Sequence, residues 1–118
     1  MFPSPKWLLR IEGLVVLVIS VIIYWHLGYS WVKFALLFLV PDIFMVGYLV
    51  DTKIGAVIYN IGHTYVVPFL FLLLVYFVKL PSLYFIAVIW VAHIGFDRLL
   101  GYGLKYPTAF KDTHLGKL

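Results

Sequence analysis

Two aspartates and two histidines occupy stretches of this chain where almost nothing else is ionisable: Asp42, His63, His93 and Asp97. Imidazole nitrogens and carboxylate oxygens are the donors that hold Zn(II), and Fe(II) or Mn(II) accept the same mixture. His93 and Asp97 are four residues apart, so on a helix they share a face. No Lys or Arg falls between Lys33 and Lys53 or between Lys53 and Lys79. Arg98 follows Asp97 directly, and successive residues on a helix do not face each other. The carboxylate of Asp42 therefore needs protonation, a charged imidazole or a bound cation. Two carboxylates and one divalent ion sum to zero charge, and two neutral imidazoles complete four ligands.

The elements that would carry these groups are membrane helices. Of the 118 residues, 64% are hydrophobic and 12% charged, against about 25% charged in a soluble domain. A helix needs about 20 mostly apolar residues to cross a hydrocarbon core about 30 Å thick. Residues 7–27, 31–50, 54–78 and 82–104 meet that requirement, predicting an all-α integral membrane bundle of four transmembrane helices. Turns fall at residues 28–30, 51–53 and 79–81. Trp7, Tyr24, Trp25, Tyr29 and Trp31 lie near predicted ends, as an interfacial aromatic belt would place them. No secretory leader is evident, and residues 105–118 form a short polar tail on a single domain.

Basic residues set the orientation. Lys6, Arg10, Lys53, Arg98, Lys105, Lys111 and Lys117 fall on the side of both termini, and only Lys33 and Lys79 on the other. The positive-inside rule makes both termini cytoplasmic. The net charge of +4 suits anionic lipid head groups rather than nucleic acid. With no cysteine, thiolate ligands and a catalytic thiol are excluded.

Depth agrees with chemistry. Asp42 lies nine residues before Asp51, His63 ten after Lys53, and His93 and Asp97 twelve and eight before Lys105. At the helical rise these offsets place all four groups roughly 12–18 Å from the cytoplasmic boundary. Ionisable groups at such depth mark a site by default. Gly47, Gly55, Ala56, Gly62, Ala92 and Gly95 would let the helices approach closely around it. Pro41 and Pro68 would loosen the backbone ladders beside it. Asn60, Thr64, Tyr48 and Tyr102 are candidates to orient the imidazoles, and Asp51 and His114 to support a bound cofactor.

Other groups carry less. His26 and Glu12, the only Glu, sit near predicted helix ends, and a single Glu argues against a carboxylate-rich di-iron site. The aromatic residues of the third and fourth spans read as packing and lipid contact. Ser20, Ser30 and Ser82 lie away from the His cluster, so a serine nucleophile has little support. The segment GYGLKYPTAFKDTHLG, residues 101–116, either folds over the inner mouth of the site or lies along lipid phosphates.

The stretches PDIFMVGYL (41–49), YNIGHTYVVP (59–68) and AHIGFDRLLGYGLKYPTAFKDTHLG (92–116) resemble a small bacterial membrane family catalogued as domain of unknown function 4260. That resemblance brings no activity with it. The order Pro-Asp, Gly-His-Thr, His-x-x-x-Asp is more distantly similar to the YdjM-type inner-membrane metal-dependent hydrolases. There a Pro-Asp helix, a Thr-His-Ser helix and a His-x-x-x-Asp helix supply the metal ligands, which correspond here to Asp42, His63, His93 and Asp97. This chain has Gly62-His63-Thr64 in place of Thr-His-Ser, and Asn60 near the position of a further His.

The expected function is a metal-dependent hydrolase of the bacterial inner membrane, acting on a lipid or amphiphile from the cytoplasmic leaflet. Zn(II) is the favoured ion, with Fe(II) or Mn(II) as alternatives. Asp97 would serve as ligand or general base, and Tyr102 or Lys105 would stabilise developing negative charge. Two readings from other classes use the same residues. One is a proton or ion relay in a homo-oligomeric transporter or channel, and the other is a polar network that fixes helix register in a structural subunit.

Overall fold

The computed structural model describes residues 5–42, 49–101 and 103. Among them there are five α-helices and no strands: α1 (Pro5–Leu27), α2 (Trp31–Phe38), α3 (Thr52–His63), α4 (Val66–Val78) and α5 (Tyr84–Leu100). A 3-10 turn, Pro81–Leu83, leads into α5. Two helices are long and apolar enough to cross a membrane, α1 and the 20-residue stretch Pro81–Leu100. The bent pair α3 and α4 makes a third if it counts as one span.

Proline explains where the structure departs from four straight helices. Residues 31–50 do not form one helix: α2 stops at Phe38 after eight residues. Pro41 has no N–H for the Leu37 carbonyl, and its ring would clash with that oxygen in a continued helix. The chain turns through a 3-10 segment at residues 40–42 instead, where the Asp42 N–H donates to the Leu39 carbonyl at 3.0 Å. Residues 54–78 are likewise broken, with a 48° bend between α3 and α4. The break falls at Thr64, four residues before Pro68, where the proline ring excludes a helical carbonyl. Pro68 itself sits in the first turn of α4, where a missing N–H costs nothing. At the far end of the chain, α5 stops at Leu100 rather than running to residue 104, because Gly101 takes a left-handed conformation (φ 94°).

The breaks at 28–30 and after Val78 fall where turns were expected, and two of the helices that follow a break carry side-chain caps. Ser30 caps α2 by accepting from the Val32 N–H, and Asp51 caps α3 by accepting from the Ile54 N–H at 2.7 Å. Because Asp51 is the cap, α3 begins at Thr52, two residues earlier than the apolar pattern implied.

The most extensive helix contact is between α1 and α5. Gly13 and Gly95 face each other where they cross. A methyl group on Gly13 would lie 2.6 Å from the Gly95 carbonyl oxygen, and one on Gly95 would lie 2.8 Å from the Gly13 oxygen. Backbones that close admit nothing but glycine, as at membrane helix contacts generally. Away from this seam α1 shows its apolar side chains outward. Leu14, Val15, Val18, Ile19, Ile22 and Ile23 are all exposed, as lipid-facing residues are.

Candidate metal centre

α5 brings two donors, four residues apart on one face. The Nε2 atom of His93 and the Oδ2 atom of Asp97 are 3.2 Å apart. α3 delivers His63 as its last residue, and the turn at residues 40–42 delivers Asp42. His63 Nε2 lies 3.3 Å from His93 Nε2, 3.2 Å from Asp42 Oδ1 and 3.5 Å from Asp97 Oδ2. His93 Nε2 lies 3.3 Å from Asp42 Oδ1. All four donor atoms fall within 4.8 Å of one another.

Those distances carry a geometric test. Four ligands placed tetrahedrally at 2.0–2.1 Å from an ion are about 3.3–3.4 Å from each other. Five of the six edges, from 3.2 to 3.5 Å, match that figure. The residues fit a tetrahedral ion on the chemistry of the donor set as well as on its spacing.

Proton bookkeeping agrees. His63 Nδ1 donates to the Tyr59 carbonyl oxygen at 2.9 Å, which in the neutral ring leaves Nε2 as a bare lone pair. Three acceptors and the Nε2 of His93 then converge on one point, with at most one proton among them if both rings are neutral and both carboxyls ionised. Electron pairs packed so closely repel unless further protons or a cation sit between them. His93 Nδ1 is buried without a hydrogen-bond partner. The Phe38 ring meets the imidazole edge-on at 5.2 Å.

Three residues hold the site together that ligand chemistry alone does not single out. The Tyr59 ring lies flat on the His63 ring, with centroids 3.8 Å apart and planes within 3°. Trp90 and Arg98 act on the break after His63. In an unbroken helix the carbonyls of Gly62 and His63 would accept from Val66 and Val67. Here the Trp90 indole donates to Gly62 O at 2.6 Å, and Arg98 donates to His63 O at 3.1 Å. Both donors belong to α5, so one helix supplies two ligands and secures the carbonyls beside a third. A cation at the C-terminal end of α3 also complements the helix dipole. Pro68 was the available signal, since it predicts carbonyls in need of new partners.

The remaining expected residues divide cleanly. The Asp51 carboxylate is engaged as the cap of α3, and the Thr64 hydroxyl faces the Val66 N–H at 3.5 Å, at the start of α4. The Asn60 carbonyl accepts from the Thr64 N–H, closing the end of α3. Tyr102, Lys105, His114, Gly47, Tyr48 and the tail 105–118 lie outside the described residues. None of the four donors comes from α1. That helix does brace α5, through the glycine crossing and through Arg10, whose Nε donates to the Leu99 carbonyl at 2.8 Å.

Helices fit to cross a membrane, joined around two imidazoles and two carboxylates, define a helical membrane protein with a candidate metal centre. The chain belongs to the family described as domain of unknown function (DUF4260), whose model matches residues 6–118. No curated protein and no solved structure matches it. The expected likeness to the YdjM-type hydrolases is not shown by these comparisons.

Proposed function

We propose that this protein is a divalent-metal-dependent membrane enzyme of hydrolase type, with an amphiphile as substrate. The observation that carries the proposal is the near-tetrahedral meeting of Asp42, His63, His93 and Asp97 donor atoms. A bound ion would polarise an ester, amide or phosphoryl oxygen and supply water activated near neutral pH. His63 and His93 would hold the ion through Nε2, their rings kept in place by the Tyr59 carbonyl and by packing against Tyr59 and Phe38. Asp97 would help neutralise the ion as a ligand or, as general base, take a proton from water. Zn(II) suits the four-coordinate N and O set best, and Fe(II) and Mn(II) are compatible with it. We place the chain in the bacterial inner membrane, with four crossings and both termini cytoplasmic. The count requires residues 31–50 to cross despite the interruption after Phe38 and the α3–α4 pair to cross as one bent span.

One observation favours a second reading. Four protein ligands fill a tetrahedral ion, and closed sites of that kind are structural. The ion would then pin α3 and α5 to the turn at Asp42. A relay of protons through the two imidazoles is the remaining alternative, and it requires no metal.

The test uses the full chain reconstituted in liposomes, stripped with chelator and reloaded with Zn(II). Hydrolysis of fluorogenic acyl-ester, acyl-amide and phosphodiester amphiphiles is followed. Turnover of any of the three that needs zinc and disappears in His93→Ala supports the enzyme. Stoichiometric zinc with no turnover supports the structural ion. Proton flux without metal, abolished by His63→Ala, supports the relay.

A further inference from the structure

The four ligands are not held alike. His63 and His93 are buried to within 2% of full enclosure, and Asp97 is 16% exposed. All three stand on helices. Asp42 is 34% exposed and stands on a 3-10 turn directly after a proline. A catalytic ion must offer a position that substrate can take, and among these four the position held by Asp42 is the one with least to restrain it.

Beside that turn lies an almost wholly apolar groove of about 290 Å³. Leu37, Val40 and Pro41 form one wall, and Ile86, Ile89 and Trp90 of α5 form the other. Its lining residues adjoin three of the ligands. Pro41 precedes Asp42, Ile89 is one helical turn from His93, and Trp90 bonds the carbonyl of Gly62, the neighbour of His63. A volume at the lower edge of ordinary ligand sites, about 300 Å³, suits one chain rather than a whole lipid. In a bilayer the occupant such a surface meets is an acyl chain.

We propose that Asp42 is the exchangeable ligand, and that its place is taken by a polar oxygen of a single-chain amphiphile whose acyl chain lies in the Leu37–Trp90 groove. This rests on the metal-centre reading and names the substrate class for it. Asp42 swings aside on its turn while His63, His93 and Asp97 keep the ion. The incoming oxygen enters at the bilayer side of the site, along Pro41 and Ile89.

The experiment loads the purified full chain in detergent with Co(II), whose visible bands report coordination. The wild type takes up Co(II) with a four-coordinate spectrum. Asp42→Ala and the isosteric Asp42→Asn keep the ion with affinity lowered by about ten- to a hundredfold, the scale of groups that tune a metal site. Added acetate restores the wild-type spectrum in Asp42→Ala. His93→Ala and Asp97→Ala lose the ion. In the wild type, decanohydroxamate and acetohydroxamate both perturb the bands. Ile86→Trp and Leu37→Trp, which fill the groove, weaken decanohydroxamate by about tenfold or more and leave acetohydroxamate unchanged. If both Asp42 variants lose Co(II) as completely as Asp97→Ala, or if the tryptophan variants weaken neither hydroxamate or both equally, the proposal is overturned while the metal centre stands. If the wild type takes up no Co(II), the metal-centre reading falls and carries this proposal with it.

Discussion

Arg98 reaches from α5 to the main-chain oxygen of His63, 3.1 Å away, and so secures the carbonyl beside a ligand rather than the ligand's side chain. Its guanidinium also lies over the Tyr65 ring at 5.7 Å, on the far side of the same break. A buried cation in this position does two jobs. It replaces the hydrogen bond that the Val67 N–H would give in an unbroken helix, and it fixes the last turn of α3 against the helix carrying His93 and Asp97.

Replacing Arg98 by Met keeps much of the side-chain volume and removes the donor. Losing a hydrogen bond to a charged group costs about 1.5–3 kcal/mol. Zn(II) affinity should fall by about ten- to a hundredfold, as for other groups that orient ligands. Unfolding in mild detergent, with and without zinc, measures both effects. Loss of stability with unchanged zinc affinity would show that Arg98 holds the break without aiming His63.

The glycine crossing makes a sterically definite prediction. Gly95→Ala places a methyl 2.8 Å from the Gly13 carbonyl oxygen and 2.9 Å from the Leu17 nitrogen. Backbone must move, and overpacking of this kind costs about 1–3 kcal/mol. Leu14→Ala, on the exposed face of α1, should change stability by much less. Thermal unfolding of the two variants in the same detergent decides it.

The flat stack of Tyr59 on His63 predicts unequal effects of two substitutions. Tyr59→Ala frees the imidazole to rotate and should weaken zinc by about tenfold or more. Tyr59→Phe preserves the stacked ring and the carbonyl that binds His63 Nδ1, so affinity should remain close to the wild type. Titration with a competing zinc chelator separates them.

Metal binding should also fall steeply in acid. Both imidazoles must be free of a proton at Nε2 to bind, so protons compete with the ion for two nitrogens. Affinity is retained at high pH and lost as pH falls, by up to about a hundredfold per pH unit where both rings are protonated in the free chain. Zinc titrations across the pH range in which the chain stays folded test the proton count. A slope near zero would mean that the histidines are not ligands.

The ligands were legible because their surroundings are so poor in charge. With no Lys or Arg between Lys33 and Lys53, an aspartate at 42 demanded a partner, and straight-helix arithmetic put His63, His93 and Asp97 at its level. That arithmetic gave the right meeting point although two of the helices are not straight. Pro41 and Pro68 were visible as sources of strain, but the consequence lies four residues upstream of each, where a carbonyl must be excluded. The break after His63 thus becomes evident once Pro68 is read against Thr64. Arg98 was set aside as a counter-ion for Asp97 and counted with the basic residues that set the orientation, which hid its reach to a carbonyl. Gly13 offered no chemical signal at all, since its importance exists solely in the backbone it meets on α5.

Elemental analysis of the detergent-purified full chain, beside the double variant His63→Ala/His93→Ala, is the most direct test of a metal centre at Asp42, His63, His93 and Asp97. The account predicts about one divalent ion per wild-type chain and none in the variant, with stability restored to the stripped wild type by added Zn(II). A wild-type chain that carries no divalent metal, and whose unfolding neither chelator nor zinc alters, would contradict it.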